Sequence, residues 1–541
     1  MKRKGFTLIE LLAVIVILAI IALIAVPTVM NIINNAQKSA FKDSAYGIIK
    51  AGEMYYTNKM MDPDGMTEDK EFTFPDAIGL ELKGSKPTNG IMTVTKEGKI
   101  GLAVHNGKYC VTKGFNTDEI TISENVANCS FVVVYKETEL NGADPVLKDG
   151  MIPITISNDG TATVADIYNE AQPWYKYGEK KWANVVTVTE SSRTQYVENG
   201  TYNTGTTVDE EDILTYLTWI PRYKYKLWYT EATDTQPGVD GTKVHSIDII
   251  FENKETAKSN GTTNGSYLTH PAFTFGSEKL NGIWVGKFET GYAGATSKSA
   301  AQVTTADSTK VIIKPNAYSW RNINVSNAYN TVKGMNTTNV YGLTSSSDTH
   351  MMKNTEWGAV AYLSHSSYGK GNSEVYINNH GNYWTGCGGD TADAGSDVIC
   401  TNEYGTKTDG VYNQSTSGNI TGVFDMSGGA MEYVMGYATT GSLSNSGFAS
   451  LPEDKYVDKY SSTDSTQYSK RILGDATGEM GPFSSSYVGS WYNDYAFFAS
   501  SDYPWFVRGG RYSGTSSAGV FSFGSGGGCA YSYLSFRVVL V

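Results

Sequence analysis

The chain has 541 residues, room for more than one domain. Aromatic residues make up 12% of it, with 37 Tyr and 10 Trp against 14 Pro, a composition that supplies large cores and excludes wholesale disorder. A formal charge of −12, with the one dense lysine and arginine cluster at the extreme N-terminus, excludes nucleic-acid binding as the main task.

Lys2, Arg3 and Lys4 precede an apolar run of roughly 20 residues that holds one charge, Glu10. The run is long enough to span a bilayer, and the three cations place its N-terminal side in the cytoplasm. A secretory signal peptide would have a shorter apolar core ending at a small-residue cleavage site. Here 22–27 run on into 28–38 with Pro27 as the one strong breaker. The pattern predicts a single helix of about 50 residues, kinked or locally melted at Pro27.

An amphipathic pattern continues over 41–60, with Tyr46, Tyr55 and Tyr56 placed to pack on a sheet. A polar stretch, 62–87, is followed by strand-like runs at 90–95, 100–104, 108–111 and 130–135, joined by Gly-containing turns. Residues 136–149 are polar, with Gly142 and Pro145, and form a boundary. From 150 onward the composition shifts to Tyr, Trp, Gly, Ser, Thr and Asn. Strands are expected at 152–156, 182–188, 242–251, 282–289 and 520–523, and helices at 209–218 and 348–364. The absence of a 20–50-residue repeat excludes solenoids and propellers.

Five cysteines include two pairs with short intervening loops, Cys110 with Cys129 and Cys387 with Cys400, which suits an oxidising exterior; the alternative is five isolated thiols. A bond closing the first loop would stabilise by roughly 3 kcal/mol on a chain-entropy basis.

The final stretch, 508–541, reads as a recognition surface with no chemistry in it. From Arg511 to Ser535, 16 of 25 positions are Tyr, Ser or Gly, the types that dominate binding loops, with one cation and no carboxylate. Arg508, Gly509 and Gly510 before it, Val520 and Phe521 inside it, and an apolar strand at 536–540 closing it form a frame; a flexible Gly/Ser linker would have neither interleaved aromatics nor a terminal strand. The expected contacts are Tyr512, Ser513, Ser516, Ser517, Ser522, Ser525, Tyr531, Ser532 and Tyr533.

Gly5-Phe6-Thr7-Leu8-Ile9-Glu10, behind the short basic leader, resembles the type IV prepilin N-terminus. The resemblance implies cleavage after Gly5 by prepilin peptidase and methylation at Phe6. It also implies that the Glu10 carboxylate, costly in hydrocarbon, pairs with the amino terminus of a neighbouring pilin subunit. A C-terminal disulfide loop, here Cys110 to Cys129, is a common pilin feature.

A second resemblance is to the formylglycine-generating enzyme family, a variant of the C-type lectin fold. It rests on ordered phrases: 283–289 (IWVGKFE), 353–361 (KNTEWGAVA), 422–434 (GVFDMSGGAMEYV), Arg508-Gly509-Gly510, and Phe536-Arg537. These read as scaffold, with Asp425 and Glu432 as partners of Arg508 and Arg537. Ca2+ on Asp425 and Glu432 is the functional alternative, weakened because Gly429 stands where the family has Asn; Asp390, Asp393 and Asp397 are a second calcium possibility. The enzyme's thiol pair is absent, Cys529 being alone, and His350, His365 and His380 lack metal-ligand spacing. No Ser/His/Asp arrangement or phosphate loop occurs, so no enzymatic activity and no resident metal are expected.

The ending R-G-G-x-Y, A-G-V-F and S-F-R-V-V-L resembles the variable region of proteins diversified by retroelements that randomise adenines in AAC codons. Such codons never yield Lys, Glu, Gln, Met or Trp, and 512–535 contain none of these.

The combined expectation is an α+β chain: a leader at 1–5, a membrane and pilin helix at 6–60, a small antiparallel sheet at 61–135, a linker at 136–149, and a large C-type-lectin-like display domain at 150–541. It would sit in the bacterial membrane as a single-pass prepilin and then at the cell surface or in a pilus, as a minor or tip subunit binding a protein or glycan ligand. The alternatives are a pseudopilin of a secretion or DNA-uptake machine with a structural C-terminal domain, and a residual enzyme.

Overall fold

The computed structural model describes residues 8–541 except 63–64, 67–69, 81, 83–85, 96–97, 114–119, 125–128, 130–140, 168, 170–171, 199, 230–243, 255–266, 462–471 and 482–489; within the first helix, side chains are described at 12, 29–30 and 33–59. Gly5, Phe6 and the expected strand at 130–135 lie outside the described residues, and Glu10 is placed by its backbone alone. The chain divides into two compact units, Met1–Glu137 and Thr138–Val541.

In the first unit Leu8–Lys59 form one helix of 52 residues. It continues through Pro27, so local melting there does not occur. Phe41, Ala45, Ile48 and Ile49 recur at three- and four-residue spacing and are buried. They meet a five-stranded antiparallel meander of Lys70–Phe74, Asn89–Val94, Ile100–His105, Cys110–Lys113 and Thr121–Ser123. Gly52 permits the close approach: a Cβ there would lie 3.0 Å from Ile100 Cδ1. Cys110 and Cys129 are disulfide-bonded.

Two readings of this unit change. Tyr46 is 47% exposed, because it stands one position round from the buried Ala45; Tyr55 does pack, edge-on against Phe72 at 4.9 Å. Lys70–Phe74 lies in the stretch read as polar turns, and its period of two rests on Phe72 and Phe74 alone, both 2% exposed. Among the described residues no helix is long and apolar enough to cross a membrane. Apart from Leu12, the expected spanning run falls in the part of the helix described by backbone alone.

In the second unit an eight-stranded sheet runs in the order Thr207–Val208, Ala162–Val164, Ile152–Ile156, Asn184–Val188, Ile213–Pro221, Gly282–Gly286, Val538–Leu540, Thr349–Met351, with all neighbours antiparallel. The last strand of the chain is therefore interior to the sheet. A second sheet contains Asp458–Tyr460, Met431–Ala438, Trp505–Arg508 and Phe523–Gly526, with Leu534–Phe536 parallel to the start of Met431–Ala438. The helix Asn354–Ser364 is buried at every residue and packs on strands of both sheets. A single apolar core joins these layers, with Trp182, Trp219, Trp284, Trp320, Trp357 and Trp505 fully buried.

The expected helix at 209–218 is a strand, Ile213–Pro221, whose β-branched and aromatic residues are covered because it lies between two partner strands. The expected helix at 348–364 begins only at Asn354, and Thr349–Met351 pair with the final strand instead. The expected strand at 520–523 is displaced to Phe523–Gly526. The expected closing strand at 536–540 is two strands in different sheets, Leu534–Phe536 and Val538–Leu540, broken at Arg537. The chain is thus mixed, with a long N-terminal helix and many antiparallel strands.

Candidate ligand-binding site

Arg537 occupies the break because its side chain is needed inside. It is 0% exposed, and its Nε and Nη2 donate to the two carboxylate oxygens of Glu432 at 3.0 and 2.5 Å. Nη1 and Nη2 also reach the carbonyls of Gly286 and Asp425, so this one side chain ties both sheets together. Asp425 contributes its carbonyl to Arg537; its carboxylate accepts from Asn378 Nδ2 and Gly386 N. Burial pushes that carboxyl up to about 6, against the attraction of Arg537. Glu289 beside it is pushed up by burial and then by Asp425 and Glu432. Gly429 is required here: a Cβ would lie 2.2 Å from Glu289 Oε1, and φ is +65°.

Arg508 does not pair with Asp425 or Glu432. Its guanidinium donates to the carbonyls of Asp475, Ala476 and Val520 and to Asn354 Oδ1, and lies 5.5 Å from the Trp357 ring centre. Its own strand carries it to the opposite side of Met431–Ala438 from Leu534–Phe536, which is where Arg537 follows, so the two arginines have separate partners. Gly509 and Gly510, at φ +79° and +69°, turn the chain outward; a Cβ on Gly510 would meet Ala518 Cα at 2.6 Å. Phe536 is buried edge-on against Trp320 at 5.6 Å.

Between these anchors the chain leaves the core twice, at 511–517 and at 529–533, on either side of the strand Phe523–Gly526. Main-chain bonds hold both excursions. Tyr512 N donates to Gly429 O at 2.8 Å, and Tyr495 N to Ser517 O at 2.9 Å. In and just before the second, the carbonyls of Gly528, Tyr531 and Tyr533 accept from the amides of Val325, Asn322 and Met431, and Ser532 O accepts from Arg321 Nη1. The side chains of Arg511, Ser513, Thr515, Ser516, Tyr531 and Ser532 are exposed.

An open cavity of about 600 Å³ lies between the two excursions. Ser513, Ser517, Ser522, Ser525, Tyr531 and Tyr533 line it, with Tyr531 and Tyr533 stacked 5.4 Å apart at 19°. Three expected contacts are elsewhere: Tyr512 packs edge-on against Tyr383 at 5.0 Å, and Ser516 and Ser532 are exposed outside the cavity lining. Ser522 was read as a surface contact and is 1% exposed, forming part of the cavity floor because the strand places it beneath the rim. Sequence reasoning missed the other wall, supplied by Met431, Tyr495, Phe497 and Tyr503. The signal was available in 495–503 (YAFFASSDY), which has the same Tyr and Ser character as the final stretch.

Cys387 and Cys400 are disulfide-bonded, and Cys529 is a half-buried free thiol beside the cavity. Among the described residues no group of three or more His, Cys, Asp or Glu is disposed to hold a metal ion. Asp390, Asp393 and Asp397, and Asp425 and Glu432, do not form such a group. Asp397 turns its carboxylate back to the amides of Val398 and Ile399, and Glu432 is committed to Arg537. His350 is engaged by Glu356 at 2.9 Å, and burial pushes His365 down to about 3.

Residues 1–26 match the family model described as the prokaryotic N-terminal methylation motif. The N-terminus is thus of prepilin type, which implies processing by prepilin peptidase, assembly with other pilins, and a membrane-anchored, pilus or surface location. Comparison with curated proteins returns no match. Among solved structures the chain is similar to Treponema denticola variable protein 1, at 13% identity over 60% of this chain and 95% of that one, with a TM-score of 0.23.

Proposed function

We propose that this is a type IV pilin-like surface protein, a minor or tip subunit first held as a single-pass prepilin, whose C-terminal unit is a C-type-lectin-like display domain for adhesion or recognition and not an enzyme. The observation that carries this reading is the division of labour in 508–541. Main-chain bonds and buried arginines hold the frame, while exposed Tyr and Ser side chains surround an open cavity. Side chains that do not hold the backbone can be exchanged without moving it, which is what a diversified binding region requires.

Replacing Tyr512, Tyr531 and Tyr533 together by Ala in the full chain tests this. Capture of surface glycans or proteins from a defined array should be lost while the thermal transition stays within a few degrees; unchanged capture overturns the reading. Sequencing the 3′ end of the gene across closely related strains provides an independent check. Variation confined to 512–535 supports retroelement diversification, and invariance favours a pseudopilin.

A further inference from the structure

The cavity lining has a chemistry that narrows its occupant. Arg511 is the one charged residue among the described residues that line it. Its guanidinium lies 5.4 Å from the Tyr533 ring centre, is exposed, and makes no ion pair or side-chain hydrogen bond with any described residue. Four serines and four tyrosines line the cavity with it. The floor presents unused polar groups. Ser522 Oγ is fully buried and has no partner among the described residues.

The strand edge adds more. Phe523 turns its N–H and C=O away from Trp505–Arg508, to Tyr495 O and Phe497 N. By the alternation of an antiparallel ladder, Ser525 turns its backbone groups to the same side, where no described backbone group meets them. The edge is blocked at Phe523 and open at Ser525, so it is too short to accept a pairing strand and suits a compact ligand.

We propose that the cavity takes a carboxylate-bearing sugar residue of a glycan. The Arg511 guanidinium is the counter-ion for its carboxylate, the stacked Tyr531 and Tyr533 rings cover its apolar face, and the serine hydroxyls pair with its hydroxyls. A guanidinium matches a carboxylate with two parallel hydrogen bonds. Hydroxyl groups that both donate and accept match a polyol, whereas an extended peptide would call for a longer strand edge. This inference rests on the reading of the cavity as the ligand site.

The test is calorimetric titration of the purified full-length protein in detergent with oligosaccharides ending in glucuronic or sialic acid, the methyl esters of the same sugars, and a blocked acidic hexapeptide. The free acids should bind at least about tenfold tighter than their esters. Arg511→Gln should abolish that preference and leave ester binding within about twofold, and Arg511→Lys should recover part of it. Equal affinity for acid and ester, no saturable binding of any acidic sugar, or tighter binding of the hexapeptide overturns the proposal. If alanine at Tyr531 and Tyr533 weakens acid and ester alike while Arg511→Gln changes neither, the site assignment stands and the acidic-sugar inference falls.

Discussion

Within 508–541 two sets of positions obey opposite rules. Arg508, Gly509, Gly510, Phe536 and Arg537 each meet a specific requirement of the frame: a carbonyl cluster, left-handed turns, one of them against Ala518, a slot beside Trp320, and a carboxylate. Ser513, Ser516 and Ser532 stand on backbone held by main-chain hydrogen bonds around them, so the frame does not fix side-chain identity there. The lesson is that a surface becomes exchangeable when its backbone is anchored by groups every residue carries.

The largest break in that comparison should come from Glu432→Ala. It strands the buried Arg537 guanidinium and should cost about 3–5 kcal/mol, measured by chemical denaturation of the full chain. Gly510→Ala is next: at φ +69° its Cβ meets backbone, which cannot yield, so a loss of about 2–3 kcal/mol is expected. Opening the Cys387–Cys400 loop with paired Ser substitutions should cost about 2–3 kcal/mol by chain entropy, read as a lower thermal midpoint.

A smaller effect is pH-dependent. Burial, and then the charge of Asp393, push the half-buried Glu374 carboxyl up to about 7. Its folded value is thus above its unfolded one, so stability is highest where both states are protonated, below about pH 4, and falls as pH rises to 7. Discounted for its partial exposure, the loss is about 1 kcal/mol. Glu374→Gln should match the parent at pH 4 and exceed it by that amount at pH 8; equal stability at both pH values would show that the carboxyl is well solvated. On the exchangeable side, Ser532→Tyr should leave stability within about 0.5 kcal/mol, and a larger loss would mean the position belongs to the frame.

Legibility followed the range of the interactions. The long N-terminal helix was plain because its pattern repeats every turn and needs no distant partner. Strands such as Ile152–Ile156 were found to the residue because their apolar runs end at sharp turns. The stretch 209–218 reads as helix because its acidic start at 209–212 imitates a helix N-terminus, and only two flanking strands make Ile213–Pro221 β. Lys70–Phe74 was missed because two phenylalanines are a weak period. The far wall of the cavity has Tyr and Ser character in 495–503, but its place beside the final stretch is set by long-range hydrogen bonds between Tyr495, Phe497 and Phe523.

The prepilin-type start, the oxidising context of the paired cysteines and the Tyr/Ser/Gly character of the ending could be read from residue types alone, because each is a local property of the chain. Which arginine takes Glu432, why the last strand breaks at residue 537, which serine is buried and which Tyr faces the cavity were decided by tertiary structure. Those outcomes depend on where a buried charge finds its partner and where a strand finds its edge, and both lie far away along the chain.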